Sequence, residues 1–349
     1  MKWHVAQDRA IKVSTVAAVS LSLILAAIAS WNTAVQMAKP HKRRPFYRSK
    51  KQELRQSGCT VDNRRVSIDH YENFPVASIL CPAVMRPAVV AIYRFARTAD
   101  DLADEGNVPA AQRLADLAAY RADLMAVVTH SCPSSRWSGV FEALRPVLLQ
   151  SKLPLNLLTD LLSAFEQDVV KHSYADRSDL LDYCSRSANP VGRLLLHLHG
   201  VSDAQSLQRS DAICTALQLA NFWQDLSVDT QRGRIYLPAT DCARFSVAPS
   251  TILEGHDSPI TRALVAEMVS WTREMMHFGT PLIHALPGRA GWELRLVVQG
   301  GLRILDKIET LAFATLKTRP TLNALDLPIM LWRAVRMHST ATPAARESA

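Results

Sequence analysis

Residues 210–229 read SDAICTALQLANFWQDLSVD, a pattern with one narrow polar stripe. At about 100° per residue, Gln218, Asn221, Asp225 and Asp229 fall within an arc of roughly 80° on a helix. Leu219 and Leu226 flank the arc on one side, Leu217 and Val228 on the other. Ala212, Ala216, Ala220 and Trp223 occupy much of the far side. A solvent-facing helix carries a broad polar face, whereas this stripe is narrow and set among apolar residues. The pattern suits a helix buried in a bundle with its carboxylates turned into a cavity. The other reading is an edge helix with a small wet stripe. Buried carboxylates need cations, so the first reading implies counter-charge nearby.

A second acidic group lies far upstream, Asp100-Asp101-Leu102-Ala103-Asp104. Asp100 and Asp104 are i and i+4, one above the other on a helix, with Arg97 one turn before Asp100. Like charges at that spacing repel unless a cation sits between them. Acidic pairs on solvated helices are also common. Two such helices facing across a bundle would offer hard oxygen ligands suited to Mg²⁺, which keeps several waters and completes its shell with substrate phosphates. A diphosphate is therefore the expected ligand. Directly after the second group comes Arg232-Gly233-Arg234-Ile235-Tyr236-Leu237-Pro238. Its two guanidinium groups suit phosphate oxygens, although basic loops are commonly just solvated.

The rest of the chain reads as helix. Of 349 residues, 48% are hydrophobic and only 12 are Gly, which secures a core and disfavours a strand-and-turn architecture. Helical patterns cover 83–105, 110–129, 139–150, 155–171, 178–199, 210–229, 258–278, 289–314 and 325–337. Loops fall at 131–138, 229–257 and 281–288. No repeat and no βαβ alternation is visible, so an all-α domain over 61–340 is expected, with a frayed tail at 341–349.

The net charge of +8 is unevenly placed. Residues 1–51 hold ten basic side chains against Asp8, a net +9, which leaves the other 298 residues at −1. Basicity confined to a short segment argues against nucleic acid as a partner. The six cysteines form no CxxC pair, so zinc and thioredoxin-like chemistry lose their usual support. Residues 13–31 run 19 positions without a charge. They read as a membrane anchor, a signal peptide or an incidental extension. The basic cluster that follows favours the cytoplasmic face of a membrane for the main domain, peripheral or anchored through 13–31. Residues 1–60 form the N-terminal extension.

With these motifs quoted, the chain resembles the squalene and phytoene synthases. The run from Ala91-Ile92-Tyr93-Arg94-Phe95 through Arg97 and Asp100 to Asp104-Glu105 looks like their first aspartate-rich motif. The run from Gln218 through Asn221, Asp225 and Asp229 to Pro238 looks like their second. The resemblance covers about 66–315. The segments at 70–78, 187–193, 221–229 and 301–309 are similar to the hydroxysqualene synthase branch of bacterial hopanoid pathways.

The resemblance implies an isoprenoid synthase-type helical bundle with a central cavity. It implies Mg²⁺ ligands at Asp100, Asp104, Asn221, Asp225 and Asp229, a diphosphate contact at Arg97, and cavity positions at Tyr93, Tyr183 and Gln218. Arg232, Arg234, Tyr236 and Phe74 join the substrate-binding set. Tyr183 equally reads as a core tyrosine with a satisfied hydroxyl. The implied reaction converts presqualene diphosphate and water to hydroxysqualene and diphosphate. Phe74, Phe95, Phe222 and Trp223 are candidate faces for a carbocation, or plain core. Glu72 and Asn73 could position the attacking water, or cap a helix. No Gly-rich dinucleotide fingerprint is visible, and NADPH is not expected.

The implied partners are a membrane surface for the apolar product and the preceding and following pathway enzymes. Three alternatives stay open. One is another head-to-head synthase making presqualene diphosphate, squalene or phytoene. The second is a chain-elongating prenyl synthase, and the third a non-catalytic membrane scaffold.

Overall fold

The computed structural model describes residues 81–106 and 108–337. Thirteen α-helices form among them: α1 (Arg86–Asp104), α2 (Ala110–Val128), α3 (Ser138–Gln150), α4 (Leu155–Val170), α5 (Arg177–Ser187), α6 (Asn189–Leu198), α7 (Ala204–Asp229), α8 (Ala239–Arg244), α9 (Pro249–Leu253), α10 (Pro259–Gly279), α11 (Leu282–Ala285), α12 (Gly288–Thr310) and α13 (Asp326–Val335). No strand forms among the described residues, and a lone parallel bridge joins Ser173 to Ile235. The all-α class expected from the sequence is the class observed.

Helix α7 organises the bundle. From Ala212 through Leu226 every one of its residues is buried. A helix buried all round belongs at the centre of a protein, and α7 packs against α6, α10 and α12 at once. The wet-stripe reading is thereby excluded: the polar stripe faces the interior. Helix α1 packs on α2, α3 and α4, where Phe95, Tyr120 and Phe141 stack into a second apolar core.

Observed boundaries differ from the expected ones where capping or proline intervenes. Helix α7 starts earlier, at Ala204, because the Asp203 carboxylate accepts from the Ser206 backbone N–H and satisfies an orphan donor. The single helix expected over 178–199 is two, broken at Ala188. Pro190 has no N–H to donate and opens the first turn of α6. The expected loop 229–257 holds α8 and α9, and the expected loop 281–288 holds α11.

Residues 13–31, the segment 70–78 with Glu72, Asn73 and Phe74, and the tail 341–349 lie outside the described residues. Among the described residues no helix is long and apolar enough to cross a membrane.

Candidate active site

The site grows from two helices that run in the same direction. An apolar cavity is walled by Ile92 and Tyr93 of α1, Ile213 and Leu217 of α7, and Leu294 and Val297 of α12. Toward the C-terminus of both α1 and α7 the residues turn acidic: Asp100 and Asp104 on one, Asp225 and Asp229 on the other. Roughly 16 Å of helical rise separates Tyr93 from Asp104. The pair of helices thus has a greasy end and a charged end.

The charged ends meet. Arg232 Nη1 donates to Asp104 Oδ2 at 2.8 Å and Arg234 Nη2 donates to Asp104 Oδ1 at 2.7 Å. Gly233 between them has φ +72°, the left-handed region glycine enters without penalty. The chain folds back there through Gly233 N–H to Thr230 O and Arg234 N–H to Asp229 O. Both flanking arginines therefore reach one carboxylate. Asp225, fully buried, accepts from Arg319 through Nε at 2.5 Å and Nη2 at 3.2 Å. On α1, Arg97 bridges Asp100 at 2.9 Å, Asp101 at 2.7 Å and Glu105 at 3.1 Å.

Burial dominates the electrostatics of this interior. Burial pushes the Asp229 carboxyl up to about 8; the Asp225 carboxylate adds to this while Arg234 and Arg232 oppose it. Burial likewise lifts Asp101 to about 6, against the pull of Arg97. One carboxylate oxygen of Asp229 and both amide atoms of Asn221 are buried without a hydrogen-bond partner. Buried polar atoms left so are costly.

Among the described residues no three Asp, Glu, His or Cys side chains converge as they stand to hold one ion; guanidinium groups hold Asp100, Asp104 and Asp225 instead. The donor set still fits a hard divalent cation. It consists of carboxylate and amide oxygens, two of them unsatisfied, beside carboxyls that an added positive charge would ionise.

A third group lies beside the acidic end. Asp168 of α4 is buried and accepts from the Tyr183 hydroxyl at 2.9 Å. Burial pushes its carboxyl up to about 7, against that hydrogen bond and the Arg234 charge. The Tyr236 ring stacks on Phe222 at 3.9 Å and lies 5.7 Å from Tyr174, itself 5.5 Å from Tyr183. The pairing of Ile235 N–H with His172 O and Ala239 N–H with Tyr174 O holds this aromatic stack in register.

Tyr183 is fully buried with its hydroxyl satisfied, and Gln218 and Asn221 are buried on the inward stripe of α7. Trp223 points the other way, its indole N–H on Thr272 of α10 at 2.7 Å. Phe95 sits in the α1–α4 core. Both are core residues. Phe222 alone of the described aromatic candidates joins the stack beside the charged end. Sequence reading missed Asp168 and Arg319. Asp168 was findable, since it stands one turn after Ala164 and Phe165 on the buried face of α4. Arg319 lies outside any helix, so no periodicity could place it.

Comparison with known proteins agrees with this architecture. The squalene/phytoene synthase family profile matches residues 68–326. A hydroxysqualene synthase of Rhodopseudomonas palustris is 33% identical over 245 residues, covering 68% of this chain and 80% of that protein. One from Zymomonas mobilis is 40% identical over 172 residues, 48% of this chain and 55% of the other. The crystal structure of squalene synthase HpnC from Alicyclobacillus acidocaldarius superposes with a TM-score of 0.64 at 34% identity, covering 70% of this chain and 90% of that one. The chain belongs to the squalene/phytoene synthase family and is an isoprenoid synthase, with relatives on the hydroxysqualene synthase branch.

Proposed function

We propose that this enzyme converts presqualene diphosphate and water into hydroxysqualene and diphosphate, with Mg²⁺ and without NADPH, on a route to hopanoids. The observation that carries the reading is the joining of the two acidic helix ends through Asp104, Arg232 and Arg234, above an apolar cavity lined by the same two helices. An amphiphile with a pyrophosphate head and a long hydrocarbon body matches that division.

Asp100, Asp104, Asn221, Asp225 and Asp229 would hold the metal. Bound Mg²⁺ supplies the charge neutralisation that makes diphosphate a better leaving group. Arg97, Arg232 and Arg234 orient the diphosphate oxygens by paired N–H donation. Tyr93, Leu217 and Val297 keep water from the hydrocarbon body. The Phe222 and Tyr236 rings, stacked on each other at 3.9 Å, wall the charged end with groups that do not react with a developing cation. Tyr183 and Asp168 hold that stack in place.

The test is incubation of the purified full chain with presqualene diphosphate and Mg²⁺, with and without NADPH, followed by product identification. Hydroxysqualene in both arms is the expected result. Squalene formed only with NADPH overturns the reading, as does efficient consumption of farnesyl diphosphate alone to presqualene diphosphate.

A further inference from the structure

Helix α13 buries Asp326, Met330 and Ala334 against α12. Its outward arc consists of Leu325 at its N-cap, then Pro328, Ile329, Trp332, Val335 and Arg336, all exposed. Leu325 is 81% and Trp332 62% exposed, unusual values for side chains of that size. No acidic residue lies on this arc. Asp326 is on the inner side, paired with Arg303 and Lys307, and Asp306 of α12 is paired with Arg333 and Arg273.

The patch continues onto α12. Arg295 donates to Ala334 O at the end of α13 and lies over the Trp292 ring at 5.0 Å. Trp292 is itself exposed. Arg336 covers Trp332 in the same way at 5.1 Å. Two exposed tryptophans, each with a guanidinium on its ring, are the side chains that settle at a lipid headgroup boundary. There the ring reaches the acyl region and the cation stays among phosphates.

We propose that the outward face of α13, with Trp292 of α12, docks on an anionic lipid bilayer. The surface is the convex side of a helix, which suits a plane better than a protein groove. The one charged side chain on the outward arc of α13, Arg336, is cationic, which suits phosphate headgroups. The opposite side of the same α12 segment, at Leu294 and Val297, walls the apolar cavity. Docking here would bring that cavity beside the lipid that must take up a hydrocarbon product. This last link rests on the proposed reaction, and the docking does not. None of the residues that form this surface belongs to 13–31.

Sedimentation of the full chain with vesicles tests the proposal independently of catalysis. One set of vesicles is phosphatidylcholine alone and the other equal parts phosphatidylcholine and phosphatidylglycerol. The expected result is binding to the mixed vesicles, weakened at least about tenfold in a Leu325→Ser/Trp332→Ser double variant. Arg336→Gln should lower it a few-fold on the anionic vesicles only. A circular-dichroism melt checks that the variants fold. Should the double variant melt early, Leu325→Glu alone, at the most exposed position, carries the same comparison. Equal binding by wild type and variant overturns the proposal, because other residues then carry the attachment. So does a chain that stays in the supernatant with both vesicle types. A wild-type dimer that becomes monomeric in the double variant also overturns it and makes this face an interface between copies.

Discussion

Asp104 and Arg234 lie 130 residues apart in sequence and 2.7 Å apart in space. The contact ties the last turn of α1 to the turn that follows α7, so the two halves of the charged end are held by one carboxylate. A pair this sheltered is strongly coupled: removing one partner leaves the other charge poorly solvated. A double-mutant cycle with Asp104→Asn and Arg234→Gln, read by urea denaturation, should give a coupling of about 2 kcal/mol. Adding Mg²⁺ with inorganic pyrophosphate should lower that coupling, because Asp104 and Arg234 then have other partners. Asp104→Asn should also cut turnover by at least about a hundredfold.

Arg319 and Asp225 make a second prediction of opposite emphasis. Asp225 is fully buried and Arg319 approaches both its oxygens. Arg319→Gln leaves a carboxylate in the interior without that cation. The metal-free enzyme should lose about 3 kcal/mol of stability. If Asp225 ligates a divalent ion, added Mg²⁺ should recover more stability in the variant than it adds to wild type. Melting curves with and without Mg²⁺ make the comparison. Equal Mg²⁺ increments would count against Asp225 as a ligand.

The Asp168 carboxyl, pushed up to about 7 by burial, predicts a pH dependence. The folded state favours its neutral form. The group's contribution is full below the ordinary carboxylate range and is lost as pH rises through about 7. Its share of the stability loss should approach ~1.4 kcal/mol per pH unit at the steepest point. Asp168→Asn keeps an acceptor for the Tyr183 hydroxyl and removes the titration. Urea midpoints between about pH 5 and pH 8 should therefore fall less steeply in the variant than in wild type.

Much of this arrangement was legible in the chain because helix periodicity is a local signal. The narrow stripe of Gln218, Asn221, Asp225 and Asp229 could be read as inward-facing from its apolar flanks, and α7 is indeed buried on every side. That Asp100 and Asp104 stand one turn apart on the same helix followed from i,i+4 spacing alone, while their partners, Arg97 for one and Arg232 with Arg234 for the other, did not. What periodicity does not carry is the identity of the counter-charges. Arg232 and Arg234 read as phosphate ligands, but the folded chain lays them on Asp104. That contact needs the left-handed turn at Gly233, which is a tertiary fact. The break at Ala188 was written in Pro190, but a helix can also carry a proline, as α3 does at Pro146. Only packing distinguishes the two cases.

Glycines on the central helices give the last prediction, a ranking. A Cβ on Gly279, at the end of α10, would stand 2.6 Å from Arg209 O and 3.0 Å from Ile213 N. These are backbone atoms of α7 and cannot swing aside, so Gly279→Ala must separate α10 from α7. A cost of about 2–4 kcal/mol follows. At Gly192 on α6 the same Cβ would meet Ser210 Oγ at 2.4 Å and Cys214 Sγ at 2.6 Å. Those side chains can rotate, so Gly192→Ala should cost less, about 1–2 kcal/mol. Gly192 also walls the apolar cavity with Ser210 and Cys214. Their rotation narrows it, and KM should rise more than kcat falls. Gly139, in the first turn of α3, meets nothing within 4 Å, and alanine there should be neutral or gain up to ~0.5 kcal/mol. Melting temperatures in the order Gly139→Ala, Gly192→Ala, Gly279→Ala from highest to lowest would bear out close backbone approach as the reason α7 can sit at the centre. An inverted order for Gly192 and Gly279 would mean that α10 yields more readily than the packing indicates.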